Sequence, residues 1–396
     1  MAALQRSGTV AALGTAQTLA WASSYYLPAM LAAPMAADLG VSRPTVFAAF
    51  SMALIASALL GPYAGRAIDR WGGRPVLMGS SLMFALGLAA LGLARDGVGL
   101  FAAWLLLGLA MSGGLYEAAF STLVRLYGHE ARNSITGITL IAGFASTVGW
   151  PLSSLMELQF GWRGACFAWA GLHLLLGLPL NWRLPEVDRP AAGPKPDVAR
   201  AATAAAGPTL VGSRHAAALL AVVFAITMFI STAMAAHLPG LLQAAGASLA
   251  AAVAVGALVG PAQVAGRLLE FGLLRRLHPL LSARLAALMH PTGAVLLAGF
   301  GAPLAAVFAL LHGGGNGVLT IARGTLPLVL FGPQGYGHRQ GLLAVPARFA
   351  QALAPWLFGL LLARWGAQAM WFSAGLGLMA FVALAALSAD PPHEEP

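Results

Sequence analysis

The sequence predicts an all-α integral membrane protein with twelve transmembrane helices in two six-helix halves, and three observations predict it. Apolar residues make up 59% of the 396 and charged residues only 9%. Soluble domains carry roughly 25% charge, so these charges are too few to cover a water-facing surface. The apolar residues gather in twelve runs, each near the 20 or so residues that a helix rising about 1.5 Å per residue needs to cross the hydrocarbon layer. Finally, 15 of the 22 basic residues fall on one side of those runs and 4 on the other.

The runs lie at approximately 10–35, 44–67, 76–94, 99–127, 134–157, 162–182, 215–243, 248–273, 280–300, 303–330, 340–363 and 368–388. The first is long enough to span and is read as a retained helix, not as a cleaved signal. Between the sixth and seventh, Leu184 to Arg214 holds five prolines and the only Lys. That stretch reads as a linker, giving halves 1–183 and 215–396 around a segment at 184–214. The positive-inside rule puts the Arg-rich side, and with it both termini, in the cytoplasm of a multi-pass inner-membrane protein. Short repeats tie the halves together. Gly114 to Leu123 is echoed by Gly317 to Leu326, and Gly40-Val41-Ser42 by Gly246-Ala247-Ser248. Parallel repeats of this kind place a solute site near the midplane between the halves.

After the second run stands Gly65-Arg-Ala-Ile-Asp69-Arg70-Trp-Gly72-Gly73-Arg74. This resembles the loop motif of the major facilitator superfamily, with Gly73 where the first of a final basic pair usually stands. The resemblance implies that fold over about residues 10–388, a small-molecule solute, a monomer as working unit and a gating cluster. Gly65 would allow close helix approach, while Arg70, Arg74 and Arg125 would pair with Asp69 near the positive end of a neighbouring helix. The flow from Asp38 to Arg43, and Gly161-Trp162-Arg163, look like the monocarboxylate and oxalate/formate porter branch.

Five ionisable residues fall at membrane depth, where an unpaired charge costs a few kcal/mol and points to function. They are Glu117, Arg267, Glu270, Arg323 and Arg348. Glu117 lies ten residues before Tyr127, about 15 Å deep, and is the first candidate for proton coupling. Arg267 and Arg348 each fall about 12 Å inside their runs and are candidates to bind a solute carboxylate with a guanidinium fork. By helix and depth they resemble the basic pair that oxalate-type porters place in spans eight and eleven. Glu270, three residues past Arg267, is placed to pair with it. Arg323 and Asn316 in span ten, with Tyr25 and its neighbours Trp21 and Tyr26 in span one, complete the expected cavity wall. Asn316 follows Gly313 to Gly315, a stretch read as unwound or closely packed. His237 beside Pro239 is a second proton-coupling candidate, and Glu270 a third.

Composition also excludes classes. One cysteine (Cys166) rules out a disulfide framework and Cys-based metal centres. No histidine pair has metal-ligand spacing along a helix, and no cofactor is expected. The charge of +9 is dispersed between apolar runs, unlike a nucleic-acid face, and its partners are lipid and protons. No phosphate-cradling loop or catalytic constellation suggests an enzyme. The expected activity is secondary transport, by symport or antiport, of a small and anionic organic solute with protons. Drug or metabolite efflux remains an alternative, and a non-transporting sensor a remoter one.

Overall fold

The computed structural model describes residues 2–127, 131–185, 211–272, 277–331 and 336–387, and among these all regular structure is helical. Nine helical runs are long and apolar enough to cross a membrane. Two of them, Gly137–Trp182 and Leu342–Ala385, reach 46 and 44 residues, about 65–70 Å and twice the hydrocarbon thickness. Each breaks at a glycine with left-handed backbone, Gly161 (φ 69°) and Gly366 (φ 55°), a conformation that a Cβ disfavours. The chain reverses there. The Trp169 indole donates to Ser153 Oγ at 3.0 Å, and Ala350 and Leu376 line one groove. Nine runs thus give eleven spans. The other is the first, Ala2–Ser23 and Leu27–Asp38, with a turn between that is closed by the Tyr26 N–H on the Trp21 carbonyl at 3.1 Å. Pro28 restarts the helix at a position where its missing N–H costs nothing.

The two halves repeat in detail. Gly40 (φ 65°) and Gly246 (φ 97°) turn the chain before spans two and eight. The next serines cap those helices, Ser42 accepting from the Thr45 N–H and Ser248 from the Ala251 N–H. Span four departs from its counterpart. It breaks at Leu115 into Gly97–Gly114 and Tyr116–Tyr127, whereas span ten runs unbroken over Ala305–Phe331.

The halves are joined at the Arg-poor end. Ala235, Ala236 and Ala352 sit in the same apolar core as spans one to four and six. The Trp356 N–H donates to Ser51 Oγ at 3.2 Å, and the His237 ring lies 3.8 Å from Phe47. At the Arg-rich end, Arg6 donates to Ser134 Oγ and Arg284 to the carbonyls of Leu384, Ala385 and Leu387.

Candidate solute site

The turn in span one and the break in span four fall at similar depth and aim aromatic rings at the interface between the halves. Trp21 stands 4.9 Å from both Tyr25 and Tyr116, and Tyr25 is 5.4 Å from Tyr26. The break is held by Gln17, whose amide donates to the Gly114 carbonyl at 2.7 Å. It places Tyr116 and Glu117 in the first turn of a half-helix, where the helix dipole favours a carboxylate.

The C-terminal half faces this wall with arginines. Arg267 in Val259–Gly272 donates to the Thr139 carbonyl across the interface at 3.1 Å and lies within electrostatic reach of Tyr26 and Tyr116. Arg323 donates to Thr320 Oγ1 and to the Met228 sulfur, and lies within reach of Tyr25 and Arg267. Tyr25 itself bridges the halves, donating to Thr232 Oγ1 at 2.6 Å. Two buried donors here, the Trp21 indole N–H and Arg267 Nε–H, have no acceptor among the described residues.

Nearby, Arg348 in span eleven reaches across to Glu117 in span four, Nη2 to Oε1 2.9 Å. Both side chains are about half exposed or more, 49% and 67%. Gly61 in span two is backed against it: a Cβ there would stand 3.3 Å from Glu117 Oε2.

The structure departs from several expectations. Among the described residues no ion pair joins Arg267 to Glu270, because Arg267 turns to Thr139. Asn316 does not face the aromatic wall; it lines a separate small cavity with His290, His312 and Ser231. The glycines before it are closely packed, since a Cβ at Gly313 would meet the Val259 carbonyl at 2.7 Å and one at Gly315 the Ala286 carbonyl at 2.8 Å. His237 is buried and bonded to the Pro355 carbonyl at 2.7 Å, as a clasp between spans seven and eleven. In the loop motif, Gly65 meets no close neighbour. The tight contact is made by Gly73, where a Cβ would stand 2.2 Å from Thr122, which explains a glycine at a position usually basic. Arg125 donates to the Ile68 carbonyl at 2.9 Å, while Arg70 and Arg74 lie over Trp71 and Trp182. The Asp69 side chain lies outside the described residues.

Tyr116, Thr232 and Gln17 escaped the sequence reading. Tyr116 carried one signal, an aromatic residue directly before a membrane carboxylate. Gln17 carried another, a polar amide in an apolar run.

The profile of the Major Facilitator Superfamily matches residues 13–318, and the chain belongs to that superfamily. A multidrug resistance protein, MdtL, of Salmonella heidelberg is 28% identical over 175 residues, 43% of this chain and 43% of that protein. A chloramphenicol resistance protein of Pseudomonas aeruginosa is 31% identical over 165 residues, 40% of this chain and 37% of that one. The chain thus spans well under half the length of the curated relatives it matches. Two solved structures share the fold over 96% of the chain, each at 15% identity. One is the nucleoside transporter NupG (TM-score 0.77, 99% of that chain), the other a bacterial homolog of the lysosomal transporter Spinster (TM-score 0.71, 95%). The chain is thus a multi-pass helical membrane protein of that superfamily.

Proposed function

We propose that the chain is a proton-coupled carrier of a small organic anion carrying a planar or aromatic group, oriented with its Arg-rich end in the cytoplasm of the inner membrane. The carrying observation is the pair of arginines, Arg267 and Arg323, set against the wall of Trp21, Tyr25, Tyr26 and Tyr116, with two buried donors lacking an acceptor. A carboxylate supplies acceptors for those donors, and a ring stacks on the wall. Arg348 completes the reading. A solute carboxylate competes with Glu117 for its guanidinium, and Glu117 is the proposed proton carrier of the cycle. Arg267 and Arg348 resemble the basic pair of the oxalate/formate branch by helix and depth, with Arg348 where a Lys would be expected. The Asp69, Arg70, Arg74 and Arg125 cluster gates the Arg-rich end.

A second reading, proton-driven drug efflux, is favoured by the names of the two curated relatives. In that case a cationic drug competes with a proton for Glu117, and the pH effect on binding reverses. Tryptophan fluorescence with benzoate, chloramphenicol and tetraphenylphosphonium as probes separates the readings. Benzoate bound more tightly as pH falls, and lost by more than about tenfold in Arg267→Gln, supports the anion carrier. Tetraphenylphosphonium bound more weakly as pH falls, with no benzoate binding, replaces it with efflux.

A further inference from the structure

The C-terminal half holds a second polar cluster that the solute site does not use. His290 in span nine and His312 in span ten approach through their Nδ1 atoms at 3.0 Å, and His290 Nε2 lies 2.6 Å from Ser373 Oγ in span twelve. Both rings are buried, 6% and 4% exposed. Phe308 stacks on His312, and a Cβ at Gly377 would meet Pro291 at 2.9 Å, so apolar groups close two sides. The open side is a cavity of about 20 Å³ lined by Thr227, Ser231, His290, His312 and Asn316, among others. That is room for roughly one water with several polar partners, the condition for a cavity to be wet.

An Nδ1···Nδ1 contact has a chemical consequence. With both rings neutral, one Nδ1 donates and the other accepts. One added proton, arriving at an Nε2, leaves that bridge intact as an imidazolium bonded to an imidazole. Taking up a second would put two donors face to face and two like charges together, which is strongly disfavoured. The pair therefore holds zero protons or one. Among the described residues, His312 is the titratable group against His290, and spans seven and twelve contribute Thr227, Ser231 and Ser373, which are neutral. On the same span, Thr320 Oγ1 donates back to the Asn316 carbonyl at 2.7 Å and accepts from Arg323.

We propose that His290 and His312 form a single-proton store in the C-terminal half, reached through the Asn316 and Ser231 cavity. It rests on the proton-coupled reading above for its purpose, though not for its existence.

The test is NMR of full-length protein with ¹⁵N-labelled histidine in lipid nanodiscs, titrated from pH 8 to pH 5. The expected result is a scalar coupling between the two Nδ1 atoms and uptake of one proton shared by the pair. Ser373→Ala should move that midpoint while leaving the signals of His173 and His237 in place. As a second readout, the His290→Gln/His312→Gln double variant should bind one proton fewer than wild type over the same range. Two rings that stay neutral to pH 5, or that each take a proton, overturn the assignment. If they stay neutral while transport follows a proton gradient, the store falls and the coupling reading stands. If the pair takes one proton while no probe moves with protons, the store stands and the coupling reading falls.

Discussion

Competition for Arg348 predicts opposite effects from two neutralising changes in one ion pair. Glu117 and Arg348 are 2.9 Å apart with side chains 67% and 49% exposed. Exposed pairs of this kind contribute about 0.2–1 kcal/mol. Glu117→Gln removes the internal competitor, so an anionic solute should bind equally well or up to about fivefold more tightly, the factor that about 1 kcal/mol represents. The variant should also lose the pH dependence of binding, because the group that takes the proton is gone. Arg348→Gln removes a charged hydrogen bond to the solute, worth about 1.5–3 kcal/mol, and should weaken binding about 10- to 150-fold. The assay is benzoate binding by tryptophan fluorescence at pH 6 and pH 8 for wild type, both single variants and the double. Should Glu117→Gln weaken binding as Arg348→Gln does, the pair is a structural strut and the competition argument is refuted.

Four further outcomes follow from the packing. Gly266→Ala should lower the melting temperature in detergent, since its Cβ would stand 2.4 Å from the Gly314 carbonyl and backbone must move, at a cost of about 1–3 kcal/mol; an unchanged melting curve contradicts the tight contact of spans eight and ten. Gly161→Ala and Gly366→Ala meet no neighbour within 4 Å, so each should cost only the backbone term, about 1–3 kcal/mol, measurable by the same melt. Gly73→Ala should be worse tolerated than Gly65→Ala, because Thr122 crowds the first site and nothing crowds the second; equal melting temperatures would show the reverse of this packing. Asp38→Asn breaks the 2.7 Å contact to Arg163, 37% exposed, and should cost no more than about 1 kcal/mol in chemical denaturation.

Much of this was legible in the sequence because a membrane imposes few solutions. Apolar length set the spans, the sorting of arginines set two ends, and Gly40 and Gly246 marked turns that recur in three dimensions. Glu117, Arg267, Arg323 and Arg348 stood out because charge at that depth needs a reason, and the structure brings all four to the interface of the halves. What stayed hidden depends on direction within a helix. Arg267 and Glu270 have the spacing of a pair, yet a long guanidinium found a carbonyl on another span. Asn316 lies on the right helix and faces a different cavity. The break at Leu115 has no proline to announce it; it shows only through Gln17, whose partner is 97 residues away. The segments Asp38 to Arg43 and Gly161 to Arg163, noted separately, meet in space: Asp38 accepts from the Trp162 indole and pairs with Arg163.

The central claim is that an anion binds between Arg267, Arg323 and the aromatic wall and moves with a proton. The most direct measurement is uptake of labelled benzoate into proteoliposomes under an imposed pH gradient, with wild type beside Arg267→Gln. The account predicts uptake that rises with the gradient, collapses when a protonophore removes it, and falls at least tenfold in the variant. Uptake indifferent to the gradient, or equal in the variant, contradicts it.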